Sequence, residues 1–360
     1  MLLVYGVTGY TGALIARRAV ERGLSPVLAG RDGAAVGRLA AALGLAHRAF
    51  RLEDPAALDA GLGGVRAVLH CAGPFSRTSR PMVDACLRRG AHYLDITGEG
   101  EVFAALAARD GEAKTRGVTL LPGAGFDVVP SDCLAAHLAA RLPGAVRLTL
   151  AFRAGGGPSR GTALTMADGL HRGGMVRRGG VLTPVPAAWK VRHFDFGRGP
   201  VACMTIPWGD VWTAWNSTGI PDIEVYMAAP LGLRALSRAA RLAGPILGSA
   251  PVQRLLAAAV RRLVSGPTAE ERASGRARLL GEVEDGSGRR ASARLIVADG
   301  YTFTARSAVA CAERLLEGGV PAGFQTPSLA FGADFVLSIE GSEREDLPPD
   351  GRAAHSAPAT

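Results

Sequence analysis

The chain has 360 residues, of which 48% are apolar and 20% are charged, and its formal net charge is +9 at pH 7. This composition excludes a disordered chain, because the apolar fraction is large enough for a buried core to offset the entropy lost on folding. The 48 glycines follow no three-residue period, which excludes a collagen-like chain. No run of about 18 uninterrupted apolar residues occurs, so we expect no membrane-spanning helix.

The positive charge comes almost entirely from arginine, since Lys114 and Lys190 are the only lysines. The arginines are scattered along the chain, so we expect no nucleic-acid partner. The five cysteines are odd in number and widely spaced, and no C-x-x-C occurs, so we expect neither a disulfide framework nor a metal site. The first residues lack the basic region and cleavage site of a signal peptide, and we expect a cytoplasmic protein.

Short apolar runs alternate with helix-like segments in the first 140 residues, which is typical of βαβ units. We expect a doubly wound parallel sheet of about six strands, a Rossmann-type α/β domain over residues 1–143. The expected strands are 2–5, 26–29, 49–52, 65–71, 93–96 and 118–121. The expected helices are 11–22, 33–43, 80–89, 101–115 and 130–141.

The pattern changes after residue 143 and predicts a second α+β domain with a mixed or antiparallel sheet over residues 144–340. Its last segment is a candidate to pack back on the first domain. Expected strands are 146–152, 191–196, 201–206 and 222–228, with a hairpin over 277–298 that turns at Asp285-Gly286-Ser287-Gly288. Expected helices are 159–171, 231–242, 252–264 and 302–317, with a polar linker over 265–275. Residues 341–360 are expected to be disordered.

A glycine-rich turn, Gly6-Val7-Thr8-Gly9-Tyr10-Thr11-Gly12, follows the first strand and opens the first helix. In this context Gly6 permits the tight turn, Gly9 lets the backbone approach a pyrophosphate, and Gly12 lets the helix pack on the sheet. We therefore predict a dinucleotide site that includes Thr8, Tyr10 and Thr11. The alternative is a strand–helix turn without a ligand, since the spacing is G-x-x-G-x-x-G rather than G-x-G-x-x-G.

The end of the second strand distinguishes the two nicotinamide dinucleotides. An acid about 20 residues after the glycines would bind a ribose 2′-hydroxyl, but Gly30 stands there and Arg31 follows. Arg31 is suited to a 2′-phosphate, whereas a shift of one residue would make Asp32 the hydroxyl ligand. We favour NADP(H). Asp54, after the third strand, is predicted to meet the adenine, with a helix N-cap as the alternative.

Ligands of open α/β sheets bind beyond the carboxyl ends of the strands. We predict that Cys71, Ala72, Gly73, Pro74 and Phe75 contact the cofactor, although a plain turn with a core phenylalanine is nearly as consistent with the sequence. Asp127 follows a later strand near the expected nicotinamide and is a catalytic candidate, with helix capping as its alternative.

These strand ends resemble the saccharopine dehydrogenase-like reductases, and most closely their trans-acting enoyl reductase branch. The similar segments are 6–12, 29–31, 72–75, 92–99, 125–132 and 299–332. The resemblance implies an NADP-linked Rossmann domain, a mixed second domain and a homodimer. It leaves the substrate open, because members act on imines, enoyl thioesters or unknown compounds. True saccharopine dehydrogenases are expected to use a lysine and a histidine, and the two lysines here lie outside the expected cleft.

The second domain offers hints about the substrate. Apolar residues of 252–263 share one helical face and arginines lie off it, so 231–264 is a candidate for peripheral membrane contact, or else for core or dimer packing. Four tryptophans between Trp189 and Trp215 suggest an apolar pocket or a core. His171 is a second catalytic candidate, and His193 and Tyr301 are other possible proton donors.

We therefore expect an NADPH-dependent reductase of a polarised C=C bond in a small apolar substrate, lipid-like or polyketide in character. One alternative is an imine or opine reductase, with Arg153 or Arg160 binding a carboxylate. The other is a non-catalytic NADP-binding protein at a membrane surface.

Overall fold

The structure is a computed structural model and describes residues 1–155, 157–169 and 173–348, except for the side chains of 168, 239–245 and 261. Two compact units are present: Met1–Val129 with Tyr301–Glu340, and Pro130–Gly300 with the chain after Glu340. The strands, numbered in chain order, are β1 (Leu2–Tyr5), β2 (Val27–Gly30), β3 (His47–Ala49), β4 (Ala67–His70), β5 (His92–Asp95), β6 (Thr119–Leu121), β7 (Ala145–Arg153), β8 (Gly174–Arg178), β9 (Val181–Val185), β10 (Val191–Asp195), β11 (Pro200–Thr205), β12 (Asp222–Ala228), β13 (Arg276–Asp285), β14 (Arg290–Ala298), β15 (Gly323–Phe324) and β16 (Glu343–Leu347).

Helices connect these strands. They are α1 (Tyr10–Glu21), α2 (Gly33–Leu43), α3 (Pro55–Gly61), α4 (Phe75–Arg89), α5 (Gly100–Ala107), α6 (Asp110–Thr115), α7 (Val129–Arg141), α8 (Arg160–Gly169), α9 (Asp210–Thr218), α10 (Leu231–Leu247), α11 (Ala250–Leu263), α12 (Ala269–Ser274), α13 (Gly300–Glu317) and α14 (Pro327–Phe331), with a 3-10 turn at Phe335–Ser338. In the described part of the chain, none of the helices combines the length and the apolar character needed to cross a membrane.

The first unit is built on a seven-stranded sheet in the order β15-β6-β5-β4-β1-β2-β3, and every neighbouring pair is parallel. The central strands β1 and β4 are buried along their whole length, as expected for a parallel sheet with helices on both faces. The predicted doubly wound fold is confirmed. The sheet has seven strands rather than six, because Gly323–Phe324 pairs with β6 from far along the chain.

The second unit contains a nine-stranded mixed sheet. Its main path runs β10-β11-β12-β7-β13-β14-β16, and β8 joins β12 while pairing with β9. Only β12 and β7 are parallel among the described pairs. The hairpin of β13 and β14 turns where the sequence predicts, and the carboxylate of Asp285 accepts hydrogen bonds from the backbone N–H groups of Ser287 (2.9 Å) and Arg289 (3.0 Å). The predicted second α+β domain with a mixed sheet is confirmed.

The first unit ends at Val129 rather than at the expected residue 143, whereas the chain does leave a unit at residue 340. Helix α7 lies in the second unit and Tyr301–Glu340 lies in the first. Packing explains the place of α7, because a methyl group on Gly281 of β13 would lie 2.5 Å from Leu138 and 3.1 Å from Leu134. The helix thus covers the second sheet at close range.

Several expected elements are wrong in detail. The third strand occupies His47–Ala49 rather than 49–52, and the segment 265–275 contains α12 rather than a plain linker. The sequence analysis missed the β8–β9 hairpin, α9 and β16. Disorder after residue 340 is wrong for β16, which pairs with β14 in an antiparallel register, and residues 349–360 lie outside the described residues.

Candidate functional site

The glycine-rich turn lies at the carboxyl end of β1, and two of its glycines are closely packed against neighbouring backbone. Gly6 has φ +89°, and a methyl group there would lie 2.8 Å from the backbone nitrogen of Ala72. A methyl group on Gly12 would collide with the carbonyl oxygen of Gly6. Gly9 is different: it is exposed, and among the described residues beyond its chain neighbours the atom nearest to a methyl group there would be the Gly6 oxygen, at 3.3 Å. The outer face at Gly9 is therefore open to close approach of a ligand.

Helix α1 begins directly at this opening. Gly9 is its N-cap and supplies no side-chain hydrogen bond, and the first turn contains no acidic residue. The N-terminus of a helix presents N–H groups and positive partial charge, so an uncapped one next to an open glycine is suited to a phosphate. Thr8 is exposed, Thr11 is half-buried, and the ring of Tyr10 packs edge-on against Tyr301 at 5.1 Å.

The end of β2 carries the two residues that compete for the ribose. Gly30 is its last residue, and Asp32 caps α2 by accepting a hydrogen bond from the N–H of Ala35 at 3.0 Å. Arg31 is exposed and makes no hydrogen bond or ion pair with the described residues. The geometry thus assigns Asp32 to the helix end and leaves the guanidinium of Arg31 available. Asp54 likewise caps α3 through the N–H of Ala57 at 3.0 Å, so its contact with an adenine stays a prediction.

An acidic residue that follows β5 holds the loop after β4. The two carboxylate oxygens of Glu99 accept hydrogen bonds from the N–H groups of Phe75 and Ser76, each at 2.8 Å. Helix α4 therefore begins at Phe75 rather than near residue 80, although its N-cap, Pro74, offers no side-chain hydrogen bond. Gly73 and Pro74, joined by a cis peptide bond, are exposed, while Phe75 is buried. Glu99 is a site residue that the sequence analysis named only within a strand end.

A buried carboxylate ties the neighbouring loops together. Asp95, the last residue of β5, accepts hydrogen bonds from the N–H groups of Thr97 and Gly123, both at 3.0 Å, and from the hydroxyl of Tyr93 at 2.8 Å. Burial raises the pKa of Asp95 to about 6, even though these three hydrogen bonds favour its charged form. The hydroxyl of Thr97 accepts a hydrogen bond from the N–H of Glu99 at 3.0 Å. The network therefore reaches Glu99, the residue that holds the loop after β4.

A buried histidine at the end of β4 supports the loop that follows this strand. The Nε2 atom of His70 lies 3.0 Å from the hydroxyl of Thr78, which donates to the carbonyl oxygen of Ala72 at 2.6 Å. Burial lowers the pKa of His70 to about 3, so the ring is neutral. The side chain of Cys71 is also desolvated, which raises its pKa far above that of an active thiolate. Contact of Cys71 with the cofactor stays a prediction.

Asp127 stands at the same edge of the sheet. A methyl group on Gly98 would lie 2.6 Å from its Oδ2 atom, and Asp127 makes no hydrogen bond with the described residues. The residue keeps partial exposure, and desolvation raises its pKa to about 7. Such a group can hold and release a proton near neutral pH. The other catalytic candidate, His171, lies outside the described residues.

Comparisons with known proteins agree with this geometry. Residues 2–121 match the sequence profile of the saccharopine dehydrogenase NADP binding domain. The first unit carries a saccharopine dehydrogenase-type NADP-binding domain. The predicted resemblance and the predicted cofactor are therefore confirmed.

Curated relatives include a trans-acting enoyl reductase of Mycobacterium leprae, which is 33% identical over 140 residues, or 36% of this chain and 33% of the relative. A human saccharopine dehydrogenase-like oxidoreductase is 28% identical over 151 residues, or 36% of this chain and 35% of the relative. The match thus spans about a third of the length of these relatives. A saccharopine dehydrogenase of Saccharomyces cerevisiae shares the fold over 96% of this chain and 99% of its own, with a TM-score of 0.66 and 12% identity.

The residues of the NADP-binding domain fit the cofactor. The open backbone at Gly9 and the start of α1 would hold the pyrophosphate, and Arg31 would pair with the 2′-phosphate. Gly6 touches Ala72, the loop at Phe75 is held by Glu99, and Gly98 adjoins Asp127. The structure therefore brings the turn, the loop after β4 and the catalytic candidate to the carboxyl edge of one sheet.

The tryptophans of the second unit do not line one apolar pocket. Trp208 packs on Phe152 with ring centroids 4.6 Å apart, and the ring of Trp215 lies 5.3 Å from the guanidinium of Arg177. Trp189 lines a cavity of about 550 Å³ whose walls are mostly charged. Its charged walls include Arg178, Lys190, Arg192, Glu224, Glu282 and Glu284. This cavity does not supply the apolar pocket that the sequence analysis suggested.

Proposed function

We propose that the protein is an NADPH-dependent oxidoreductase that reduces a polarised C=C bond in an apolar acyl substrate. The observation that carries the proposal is Asp127, a partly exposed carboxyl group with a pKa of about 7 at the edge of the sheet that bears the glycine turn. Support also comes from the name of the mycobacterial relative, a trans-acting enoyl reductase.

The reaction requires one hydride and one proton. NADPH, when bound, would supply the hydride. The Asp127 carboxyl group donates its proton to the α-carbon, and the resulting carboxylate then regains a proton from solvent. The glycine turn and Arg31 would bind the cofactor, and the loop held by Glu99 would lie beside it. The lysine–histidine chemistry of saccharopine dehydrogenases has no counterpart among the described residues of the first unit's site.

The test follows the loss of reduced nicotinamide absorbance with two sets of acceptors. One set contains α,β-unsaturated thioesters and ketones, and the other pairs 2-oxo acids or aldehydes with amines. We expect turnover on the first set. For Asp127→Asn we expect kcat about a hundredfold lower with unchanged NADPH affinity, whereas Asp59→Asn, a surface acid paired with Arg88, should change neither.

Three outcomes contradict the proposal. Turnover on the second set alone would make the protein an imine reductase. Tight NADPH binding with no turnover on either set would favour a non-catalytic protein. Full activity in Asp127→Asn would remove Asp127 from the mechanism. The homodimer expected from the resemblance stays a prediction that sedimentation of the purified chain tests.

A further inference from the structure

Helices α10 and α11 of the second unit form the most one-sided stretch of charge in the chain. Residues 231–264 contain six arginines and no aspartate or glutamate, whereas the whole chain of 360 residues has a net charge of only +9. Arg238, Arg254 and Arg262 are exposed. No acid of these helices can neutralise them, so an acidic surface is a natural complement.

Large apolar side chains are exposed on the same two helices. On α10, Leu231 is 73% exposed and Leu236 is 58% exposed; on α11, Leu255 is 71% exposed and Leu263 is 80% exposed. Leucines exposed to this degree in one short segment are unusual for a free surface, because burying each of them is favourable. A partner with both apolar and negatively charged groups would complement these leucines and arginines.

Helix α11 is oriented by packing on its opposite side. The side-chain amide of Gln253 donates to the carbonyl oxygens of Ala167 (3.3 Å) and Leu247 (2.7 Å), and Leu256 is half-buried. The single apolar face predicted for 252–263 is therefore divided into a packed row and an exposed row. The exposed row begins with Leu255 and continues one and two turns later, at positions 259 and 263.

We propose that α10 and α11 bind anionic lipid membranes through their exposed side chains Leu231, Leu236, Arg254, Leu255, Arg262 and Leu263, here called the basic leucine surface. In this arrangement the helices lie in the plane of the interface, the leucines enter the boundary of the acyl chains, and the arginines meet the lipid phosphates. The proposal does not depend on the reductase activity.

Two other partners fit the surface less well. A nucleic acid would pair with the arginines but would leave the leucines in water. In a two-fold dimer, a patch at the symmetry axis faces its own copy, so this patch would place Arg254 and Arg262 near the same two arginines of the second copy. A membrane surface with negative headgroups satisfies both the charge and the apolar side chains.

The experiment is co-sedimentation of the full chain with vesicles of phosphatidylcholine and of equimolar phosphatidylcholine and phosphatidylglycerol. We expect binding to the anionic vesicles only, weakening as salt rises. Arg254→Gln with Arg262→Gln should weaken binding by about fivefold for each arginine. Leu255→Gln with Leu263→Gln should abolish it, and circular dichroism should show both variants folded, since these side chains are exposed.

The matched control removes two arginines elsewhere. Arg116 and Arg198 are exposed and make no hydrogen bond or ion pair through their side chains with the described residues, so Arg116→Gln with Arg198→Gln should bind like the wild type. Equal weakening in this control would assign binding to net charge and overturn the proposal. Absence of wild-type binding to anionic vesicles would also overturn it, as would loss of a dimer in the leucine variant without any lipid binding.

Discussion

Replacement of Glu99 is expected to loosen the loop that borders the cofactor. Glu99→Ala removes both acceptors of the N–H groups of Phe75 and Ser76. Hydrogen bonds to charged groups contribute about 1.5–3 kcal/mol each. Ser76 is exposed, so water can replace its partner, whereas Phe75 is buried and its N–H group loses a partner in the protein. We therefore expect a loss of about 2 kcal/mol in the free energy of unfolding.

The loss should reappear in cofactor binding. If NADPH must restore the loop that Glu99 now holds, about 2 kcal/mol corresponds to an affinity up to about thirtyfold lower. Glu99→Gln keeps one acceptor oxygen and should fall between the alanine variant and the wild type. Stability is measured by urea unfolding followed by far-UV circular dichroism, and affinity by titration with NADPH.

The control is Glu112→Ala, which removes a surface carboxylate that pairs with Arg109. Exposed pairs contribute at most about 1 kcal/mol. The reasoning would be refuted if Glu99→Ala changed stability no more than Glu112→Ala and left NADPH affinity unchanged.

Three further predictions concern the same edge of the sheet. Gly9→Ala should weaken NADPH binding at nearly unchanged stability, because a methyl group there has little to collide with. Gly12→Ala should instead lower the midpoint of unfolding, because its methyl group would collide with the Gly6 oxygen. Equal stability of the two variants would contradict this geometry. Arg31→Ala should weaken NADPH by about tenfold or more and NADH little, and titrations with both cofactors that show equal losses would exclude contact with a 2′-phosphate. Asp127 acts as an acid in its protonated form, so kcat should fall as pH rises above about 7, and a pH profile of kcat without this fall would count against its role.

The first unit was largely predictable because its signals are local. A buried strand followed by Gly6, Gly9 and Gly12 predicts the turn, and the structure confirms it. The choice between Arg31 and Asp32 was not decided by sequence, since it depends on where β2 ends and on which side chain caps α2. Glu99 carried no local signal, because its partners lie 24 and 23 residues away in another loop.

The elements missed in the second unit have physical reasons. Strand β16 begins with four consecutive charged residues and lies at the edge of its sheet, where charges are common and only the pairing with β14 reveals a strand. In the first unit, strand β15 was also missed, because it has only two residues and its partner β6 lies about two hundred residues earlier. Helix α12 did have a signal, the capping box of Thr268 and Glu271, which the polar composition of the segment concealed.

The pairing of β15 with β6 has a consequence for the order of folding. The chain passes between the two units at residues 129, 300 and 340, so each unit is closed by a segment that is synthesised after most of the other. Until β15 emerges from the ribosome, β6 has a free edge able to pair with other strands. A nascent chain that ends before Gly323 therefore carries a nearly complete nucleotide-binding sheet in which β6 is an uncovered edge strand, and chaperone capture at that stage would protect it from aggregation.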